Sequence, residues 1–331
     1  MPTVLITPEA LIEQPGKHID IFRDAGIEIR FQKDPIMPRG LGTEEETIAE
    51  VEGVDATIAG GEIYTPKVLA ALSQLRVIAR AGVGFDRVDI PTATERGVVV
   101  TITPTANHEG VAEQALALLF GVAKKVIDYD RRLRAGEWPR QLLRPVRGET
   151  LGVFGMGRVG KSMALKSQAL GMTVIASDKY PDEAFAKAHG VEIVPFDDLL
   201  ARSDYVSIHS PLNDETRGMF NESVFSKMKK GSVLLNTARG DIVAEADLMK
   251  ALESGHLAAA GLDVFEEEPA KADNPLFALD NVTLSPHVAG LDRLSQDNMA
   301  IEAAECIVKL HSGEWPEGAV VNDDLRNGWK W

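Results

Sequence analysis

Three residues in the second half of the chain are of types that move protons and hold anions, and each follows a short apolar run. Arg239 ends GSVLLNTAR, Glu268 stands directly before Pro269 in EEEP, and His287 lies in SPHVAG. A guanidinium at a strand end can pair with a carboxylate and polarise the carbonyl beside it. An imidazole in reach of that carbonyl oxygen can donate a proton as hydride reaches the carbon, or remove one from the alcohol in reverse. A carboxylate against the imidazole would orient it and stabilise its charged form. Together these would make a hydride-transfer site for a 2-hydroxy or 2-oxo acid. Singly, each has a plainer reading: a surface arginine, a capped structural histidine, and one solvated member of the run Glu266, Glu267 and Glu268.

Ahead of them, TLGVFGMGRVG at 150–160 reads as a buried strand turning into a helix that carries Met163, Ala164, Leu165 and Leu170. Gly155, Gly157 and Gly160 form G-x-G-x-x-G in that strand–turn–helix setting. The first glycine permits the tight turn, the second lets backbone N–H groups approach a pyrophosphate, and the third lets the helix pack on the strand. The helix start adds unpaired N–H donors and the positive end of its dipole. TVIASD is the next strand, and Asp178 ends it where a carboxylate would accept hydrogen bonds from an adenine ribose. The pattern points to a dinucleotide. Asp178 would repel a 2′-phosphate, which favours NAD over NADP, and Lys179 beside it softens that preference.

Alternating strands and helices must position these residues. PTVLIT, EIRFQK, ATIAG, VIARAGVG and VVVTIT read as strands before residue 103, with helices at IDIFRDAG, TEEETIAEVEG and TPKVLAAL, the last capped by Thr65 with Pro66 at its first position. A long helix follows from 103, wide in its apolar face (Val111, Ala115, Leu116, Leu118, Leu119, Val122), which fits burial in the monomer or a subunit interface. RRLRAGEWPRQLLRPVR at 131–147 is basic and reads as a solvated connecting segment, with contribution to a neighbour's anion pocket through Trp138 as the lesser reading. After Asp178 the strand–helix alternation continues as a doubly wound α/β parallel sheet. In such sheets ligands bind beyond the carboxyl ends of the strands, so Ser210, Thr237, Arg239, Asp263, Glu268 and His287 are the polar residues that matter there. The role of the tail VVNDDLRNGWKW is not readable.

The 331 residues, 44% of them hydrophobic, suffice for one large or two medium domains. A net charge of −15 argues against nucleic acid or an anionic membrane as partner. One cysteine, Cys306, within an apolar helical pattern, fits a buried inert thiol in a reducing compartment. No apolar run reaches membrane-spanning length, so a cytoplasmic location is expected. The seven histidines are scattered, and no metal site is expected.

NTARG, GLDVFEEEP and SPHVAG, in this order behind GMGRVG, resemble the D-isomer-specific 2-hydroxyacid dehydrogenases, and the likeness extends from ARAGVGFDRVDI through NHEGVAE to the last strand. The resemblance implies an Arg–Glu–His catalytic set, which falls on Arg239, Glu268 and His287. It implies a Rossmann NAD domain at 103–288 inserted in a smaller flavodoxin-like α/β substrate domain made of 1–102 and 289–331, with a cleft that closes on substrate. It also implies cofactor contacts at Gly155, Gly157, Arg158, Val159, Gly160 and Asp178, an adenine side lined by His209, Pro211 and Thr216, and a nicotinamide end held by Thr237, Ala238 and Asp263. Backbone N–H groups at Val83 and Gly84 would receive the substrate carboxylate. A homodimer through the helix after Asn107 is implied as well.

Two departures bear on the substrate. GFDRVD carries Arg87 where the family commonly has asparagine, and AGGEIYT offers Glu62 and Tyr64 where phosphoglycerate dehydrogenases usually supply a phosphate-binding arginine. Arg87 or a basic residue of 131–147 would have to replace it; otherwise AGGEIYT marks a pocket for small uncharged side chains. The reading is therefore an NAD-dependent D-2-hydroxyacid dehydrogenase acting on 3-phosphoglycerate, or on glycerate, hydroxypyruvate or glyoxylate. The alternatives are a formate-dehydrogenase-like hydride transfer, against which the carboxylate at 268 argues, and a non-catalytic NAD-sensing corepressor-like scaffold.

Overall fold

The computed structural model describes residues 1–33 and 40–331. They form two compact units: Met1–Asn107 with Gly290–Trp331, and His108–Ala289.

The first unit begins with β1 (Thr3–Ile6), α1 (Lys17–Asp24), β2 (Glu28–Phe31), α2 (Glu44–Val51), β3 (Ala56–Ala59), α3 (Pro66–Ala71), β4 (Val77–Arg80), α4 (Ile90–Glu95) and β5 (Val99–Thr101). Thr43 starts α2 with a capping box: its hydroxyl accepts from Glu46 N–H, and the Glu46 carboxylate accepts from Thr43 N–H. Thr65 caps α3 by accepting from Val68 N–H, with Pro66 at the first helical position as expected. The strands pair in parallel in the order β2-β1-β3-β4-β5, the flavodoxin-like order. β3 is buried throughout and β4 along its first three residues, the continuous apolar pattern of a parallel sheet covered on both faces.

The second unit runs α5 (His108–Lys124), α6 (Val126–Arg134), β6 (Thr150–Phe154), α7 (Arg158–Ala169), β7 (Thr173–Ser177), α8 (Glu183–His189), β8 (Glu192–Ile193), α9 (Phe196–Arg202), β9 (Tyr205–Ile208), α10 (Glu222–Lys227), β10 (Ser232–Asn236), α11 (Glu245–Glu253), β11 (Leu257–Leu262) and β12 (Val282–Leu284). Its seven strands are all parallel in the order β12-β11-β10-β9-β6-β7-β8. Read from β8, that is the doubly wound dinucleotide-binding order, reversing direction between β6 and β9.

The apolar width of α5 is largely used inside its own unit. Ala112, Ala115, Leu118, Leu119 and Ala123 are buried with Met163 and Ala164 of α7 and the strands beneath. A Cβ on Gly261 of β11 would lie 2.9 Å from Leu118 Cβ, which explains the run of small residues in LAAAGL. The segment at 131–147 is the solvated connection expected, exposed along nearly all its length. Its first residues belong to α6, and Arg131, Arg132, Arg134 and Arg144 are engaged by Asp128 and Asp280, Glu137, Asp130, and Glu149 respectively. Beside these ion pairs, α6 and the following stretch also expose the apolar Val126, Ile127, Leu133, Trp138 and Leu142.

The chain then returns to the first unit with α12 (Arg293–Ser312), capped by Asp292 and ended by Gly313 at φ +84°. Ala300, Ala303, Ala304 and Ile307 pack with Val4, Ile6, Phe22 and Ala79. Cys306 is buried in this helix, and burial pushes its thiol up to about 11, the inert cysteine expected. The tail now has a role. Val320 bridges Thr101 in antiparallel sense, Asn322 binds the backbone of Val98 and Val100, and Trp329 Nε1 donates to Gly97 O. It covers the β5 edge of the sheet, which would otherwise present unpaired backbone. Among the described residues, no helix is long and apolar enough to cross a membrane.

Candidate active site

The site in the second unit starts where β6 meets α7. Gly155 sits at φ +96°, and a Cβ there would come within 2.7 Å of the His209 carbonyl carbon and Ser210 N. The chain leaving β9 therefore passes directly against this turn. A Cβ on Gly160 would lie 2.0 Å from Gly155 O, so the first turn of α7 can close on the strand only with glycine there. Gly157 differs: a Cβ would meet nothing within 4 Å, and no side chain caps α7. The turn thus leaves open space above uncapped helix N–H groups, the setting that receives a phosphate. Arg158 is exposed and Val159 half-buried beside that opening.

Asp178, just past β7, accepts from Met156 N at 2.6 Å through one oxygen and from Tyr180 N at 2.7 Å through the other. Its carboxylate is thereby fixed beside the glycine turn. Lys179 does not stand over it as a loose cation, because its Nζ is 2.6 and 2.7 Å from the two oxygens of Glu215.

At the end of β9, His209 Nε2 is 2.8 Å from Ser207 Oγ, while Nδ1 is sealed from solvent with no hydrogen-bond partner among the described residues. Burial lowers this imidazole to about 4. Thr237 Oγ1, past β10, is likewise buried and unpartnered among the described residues. Two orphaned polar atoms and a glycine cradle at adjacent strand ends fit a dinucleotide. The Thr216 hydroxyl turns inward instead, donating to Pro211 O and accepting from Asn213 N. It shapes the loop behind Pro211 rather than offering a free hydroxyl.

Arg239 is held by the strand end it follows. Asn236 accepts from Ala238 N and donates to Arg239 O, bracketing the turn, and Arg239 Nη1 donates to Ala238 O. Gly240 then packs against the next loop so closely that a Cβ would fall 1.9 Å from the Phe265 carbonyl. That contact seats Arg239 beside the glutamate run. The three glutamates have different fates. Glu266 accepts from Glu245 N at the start of α11, and Glu267 pairs with Lys271 at 2.8 Å. Glu268 turns inward: one oxygen accepts from Phe265 N at 3.1 Å, and the other lies 2.7 Å from His287 Nδ1. Burial opposes charge on Glu268, but the His287 hydrogen bond, the Phe265 N–H and the Arg239 charge together hold its carboxyl below the usual carboxylate range.

His287 is placed by backbone. It sits at φ +54°, a conformation few non-glycine residues adopt. Its N–H donates to Asp263 O, and the Asp263 carboxylate accepts from Ser285 Oγ, Val288 N and Ala289 N. Asp263 is fully buried, and burial pushes its carboxyl above its ordinary range despite these bonds. Gln114 of α5 donates to Ser285 Oγ, extending the network. Asn236, Ser285 and Gln114 were not singled out from the sequence. An asparagine at a strand end before a turn was the one available signal.

Val83 and Gly84 belong to the other unit, in the turn after β4. Among the described residues, neither N–H makes a hydrogen bond, whereas Gly82 O accepts from Thr103 N and Gly84 O from Arg80 Nε. Glu62 and Tyr64, which stand where a phosphate-binding arginine is absent, are buried beneath the loop after β3. Arg87 donates to Gly61 O.

With this geometry in place, comparison with known proteins is specific. A family model described as D-isomer specific 2-hydroxyacid dehydrogenase, NAD binding domain, matches residues 116–289. D-3-phosphoglycerate dehydrogenase of Archaeoglobus fulgidus is 41% identical over 310 residues, 92% of this chain and 58% of that protein. Glyoxylate reductase of Korarchaeum cryptofilum is 38% identical over 301 residues, 89% of this chain and 91% of that protein. A solved structure of a Thermus thermophilus protein, 34% identical, matches with a TM-score of 0.84 over 96% of this chain and 99% of that one. The chain thus spans 58% of the length of the first of these relatives.

Proposed function

The chain belongs to the D-isomer-specific 2-hydroxyacid dehydrogenase family, and from that premise we propose that it interconverts a small 2-oxo acid and the D-2-hydroxy acid with a nicotinamide dinucleotide. The observation that carries this is the 2.7 Å contact of Glu268 with His287 Nδ1, which leaves Nε2 as the nitrogen free to exchange a proton with substrate. Gly155, Gly157, Gly160, Arg158 and Val159 would hold the pyrophosphate and Asp178 the adenine ribose. His209 and Pro211 would line the adenine side, with Thr216 holding their loop, and Thr237, Ala238 and Asp263 would face the nicotinamide end. When bound, that group supplies or accepts the hydride.

The chain's own residues do the rest. Arg239 pairs with the substrate carboxylate and draws charge onto the 2-oxo oxygen. Protonated His287 delivers its Nε2 proton to that oxygen as the carbonyl becomes an alcohol, and takes it back in oxidation. Glu268, charged at neutral pH, fixes the ring orientation and stabilises the imidazolium. The Val83 and Gly84 N–H groups are proposed as donors to the carboxylate. A formate-type transfer needs no such proton shuttle, and the relatives named above are dehydrogenases and reductases, which favours catalysis over a corepressor-like scaffold.

The Asp178 carboxylate, with Lys179 drawn off by Glu215, supports NAD over NADP. The exposed side chains on the loops after β3 and β4 include Ile63, Val83 and Phe85, which supports a small uncharged substrate side chain over a phosphorylated one. A homodimer through the helix after Asn107 is proposed, with a second copy covering the exposed apolar residues of α6 that follows it, in a cytoplasmic setting. Initial rates of NADH consumption with 3-phosphohydroxypyruvate, hydroxypyruvate, glyoxylate and pyruvate test the reading. Highest kcat/KM on an unphosphorylated acid is the expected result. Preference for the phosphorylated acid overturns the substrate assignment, and no turnover on any of them overturns the function.

A further inference from the structure

The turn at Val83–Gly84 is built from beneath by a cluster that touches neither amide. Arg80, the last residue of β4, reaches two loops at once: Nε donates to Gly84 O at 3.2 Å, and Nη1 donates to Gly60 O after β3. Under it lies Glu62, 1% exposed. Glu62 Oε1 accepts from Thr7 Oγ1 at 2.7 Å and from Tyr64 OH at 3.2 Å, and Thr7 Oγ1 in turn accepts from Gly60 N at 2.8 Å. Glu62 Oε2 is sealed from solvent without a hydrogen-bond partner among the described residues, and burial pushes its carboxyl above the ordinary range, the Arg80 charge opposing that push. Arg87 Nη1 secures the same loop from the other side by donating to Gly61 O.

The consequence is directional. Gly82 O, Gly84 O and Phe85 O are tied to Thr103 N, Arg80 Nε and Val88 N, so every carbonyl named in this turn accepts a bond from within the unit. With these three carbonyls tied, the Val83 and Gly84 N–H groups are left for an anion, as in other backbone anion-binding concavities. A carbonyl swinging outward at Gly84 would meet a substrate carboxylate with its negative end instead.

We infer that Arg80, backed by Glu62, is a positioning residue that sets the Val83–Gly84 turn to receive the substrate carboxylate; this rests on the reading of the chain as a 2-oxo acid reductase. Arg80 suits the task because a planar guanidinium spans two carbonyls, which an ammonium does not. Glu62 acts from beneath through Thr7, whose hydroxyl it accepts from and which in turn accepts from Gly60 N, so that it braces the residue whose carbonyl Arg80 holds.

The test uses the full chain, NADH, and whichever of the four acids above gives the highest kcat/KM. Glu62→Gln keeps shape and removes the charge. It is expected to raise KM for the acid about tenfold, the effect of losing one charge-assisted contact. Its kcat and its NADH affinity, read by fluorescence, should stay within about twofold. Arg80→Lys should raise KM as much or more, and the double variant should be no worse than Arg80→Lys alone, since both act through one element. Should Arg80→Lys raise KM while Glu62→Gln leaves it unchanged, Arg80 meets substrate directly and the inference fails. A fall in kcat, acid affinity and NADH affinity together, with a lowered melting temperature, marks a general structural role and also overturns it. A wild type inactive on all four acids removes the functional reading, and this inference with it.

Discussion

Glu268 Oε2 lies 2.7 Å from His287 Nδ1 while the two glutamates before it, Glu266 and Glu267, point to a helix start and a lysine. A general acid of the kind proposed for His287 contributes about 10²- to 10⁴-fold to rate. His287→Ala should therefore lower kcat by at least about 10²-fold. NADH affinity should change little, because the ring is placed for substrate. Glu268→Gln keeps a hydrogen bond but not the charge, and should cost about 10-fold to 10²-fold in kcat. Stopped-flow reduction of the oxo acid separates the chemical step from release. Wild-type rates in His287→Ala remove the proton-transfer role.

Arg239 depends on a backbone contact as much as on its own head group. With Gly240 pressed against the Phe265 carbonyl, Gly240→Ala must push the two loops apart. Overpacking against fixed backbone costs about 1–3 kcal/mol, and the displaced Arg239 should lower kcat/KM as well. Arg239→Lys spares the fold and removes the bidentate fork, so it should lower kcat/KM by about 10² or more with the melting temperature unchanged. Calorimetry beside steady-state kinetics distinguishes the two. A Gly240→Ala protein with wild-type stability and rate would show that the contact is slack.

Two glycines of one motif should fail in opposite ways. Gly160→Ala places a methyl 2.0 Å from Gly155 O, so the helix must lift off its strand, and the melting temperature should fall by on the order of 10 °C. Gly157→Ala meets nothing within 4 Å among the described residues beyond its chain neighbours, and its φ of −66° suits alanine. It should melt like the wild type yet bind NADH about tenfold more weakly or worse, because the methyl enters the space left for phosphate. Thermal melts and fluorescence titration of the pair check this. Unchanged NADH affinity in Gly157→Ala would place the pyrophosphate elsewhere.

The contrast between those glycines shows what could be read in the residues and what could not. G-x-G-x-x-G between apolar runs is local, so strand, turn and helix follow from periodicity and glycine chemistry, and the parallel sheets follow from their repetition. The sequence also marked Glu268 and His287 as candidates, but their meeting spans nineteen residues and hangs on the Asp263 carboxylate gathering the 285–289 segment. Long-range bonds of that kind leave no period. The burial of Glu62 and Tyr64 was not legible for a related reason: Thr7, fifty-five residues before Glu62, with Thr57 and Arg80, makes it tolerable, and such partners leave no local sign. Helix α5 reads as wide enough for an interface, yet the small residues of LAAAGL were the clue that a helix lies close on that strand. The tail was opaque because its tryptophans act on a sheet edge more than two hundred residues away.

His209 makes a prediction about pH. Its Nδ1 is sealed from solvent, and burial holds the imidazole at about 4, below its ordinary 6.5. The unfolded chain therefore takes up a proton near pH 6.5 that the folded chain refuses until about pH 4. Stability associated with this group is whole above 6.5 and is lost as pH falls between those values, by at most about 3 kcal/mol. His209→Gln removes the titration, so its stability should fall less steeply over that window than the wild type's, even if it starts lower. Urea unfolding of both proteins at steps from about pH 7 to about pH 4 measures the two slopes. Parallel slopes would mean that the ring takes up its proton in the folded state, and that the pocket over the glycine turn admits water to it.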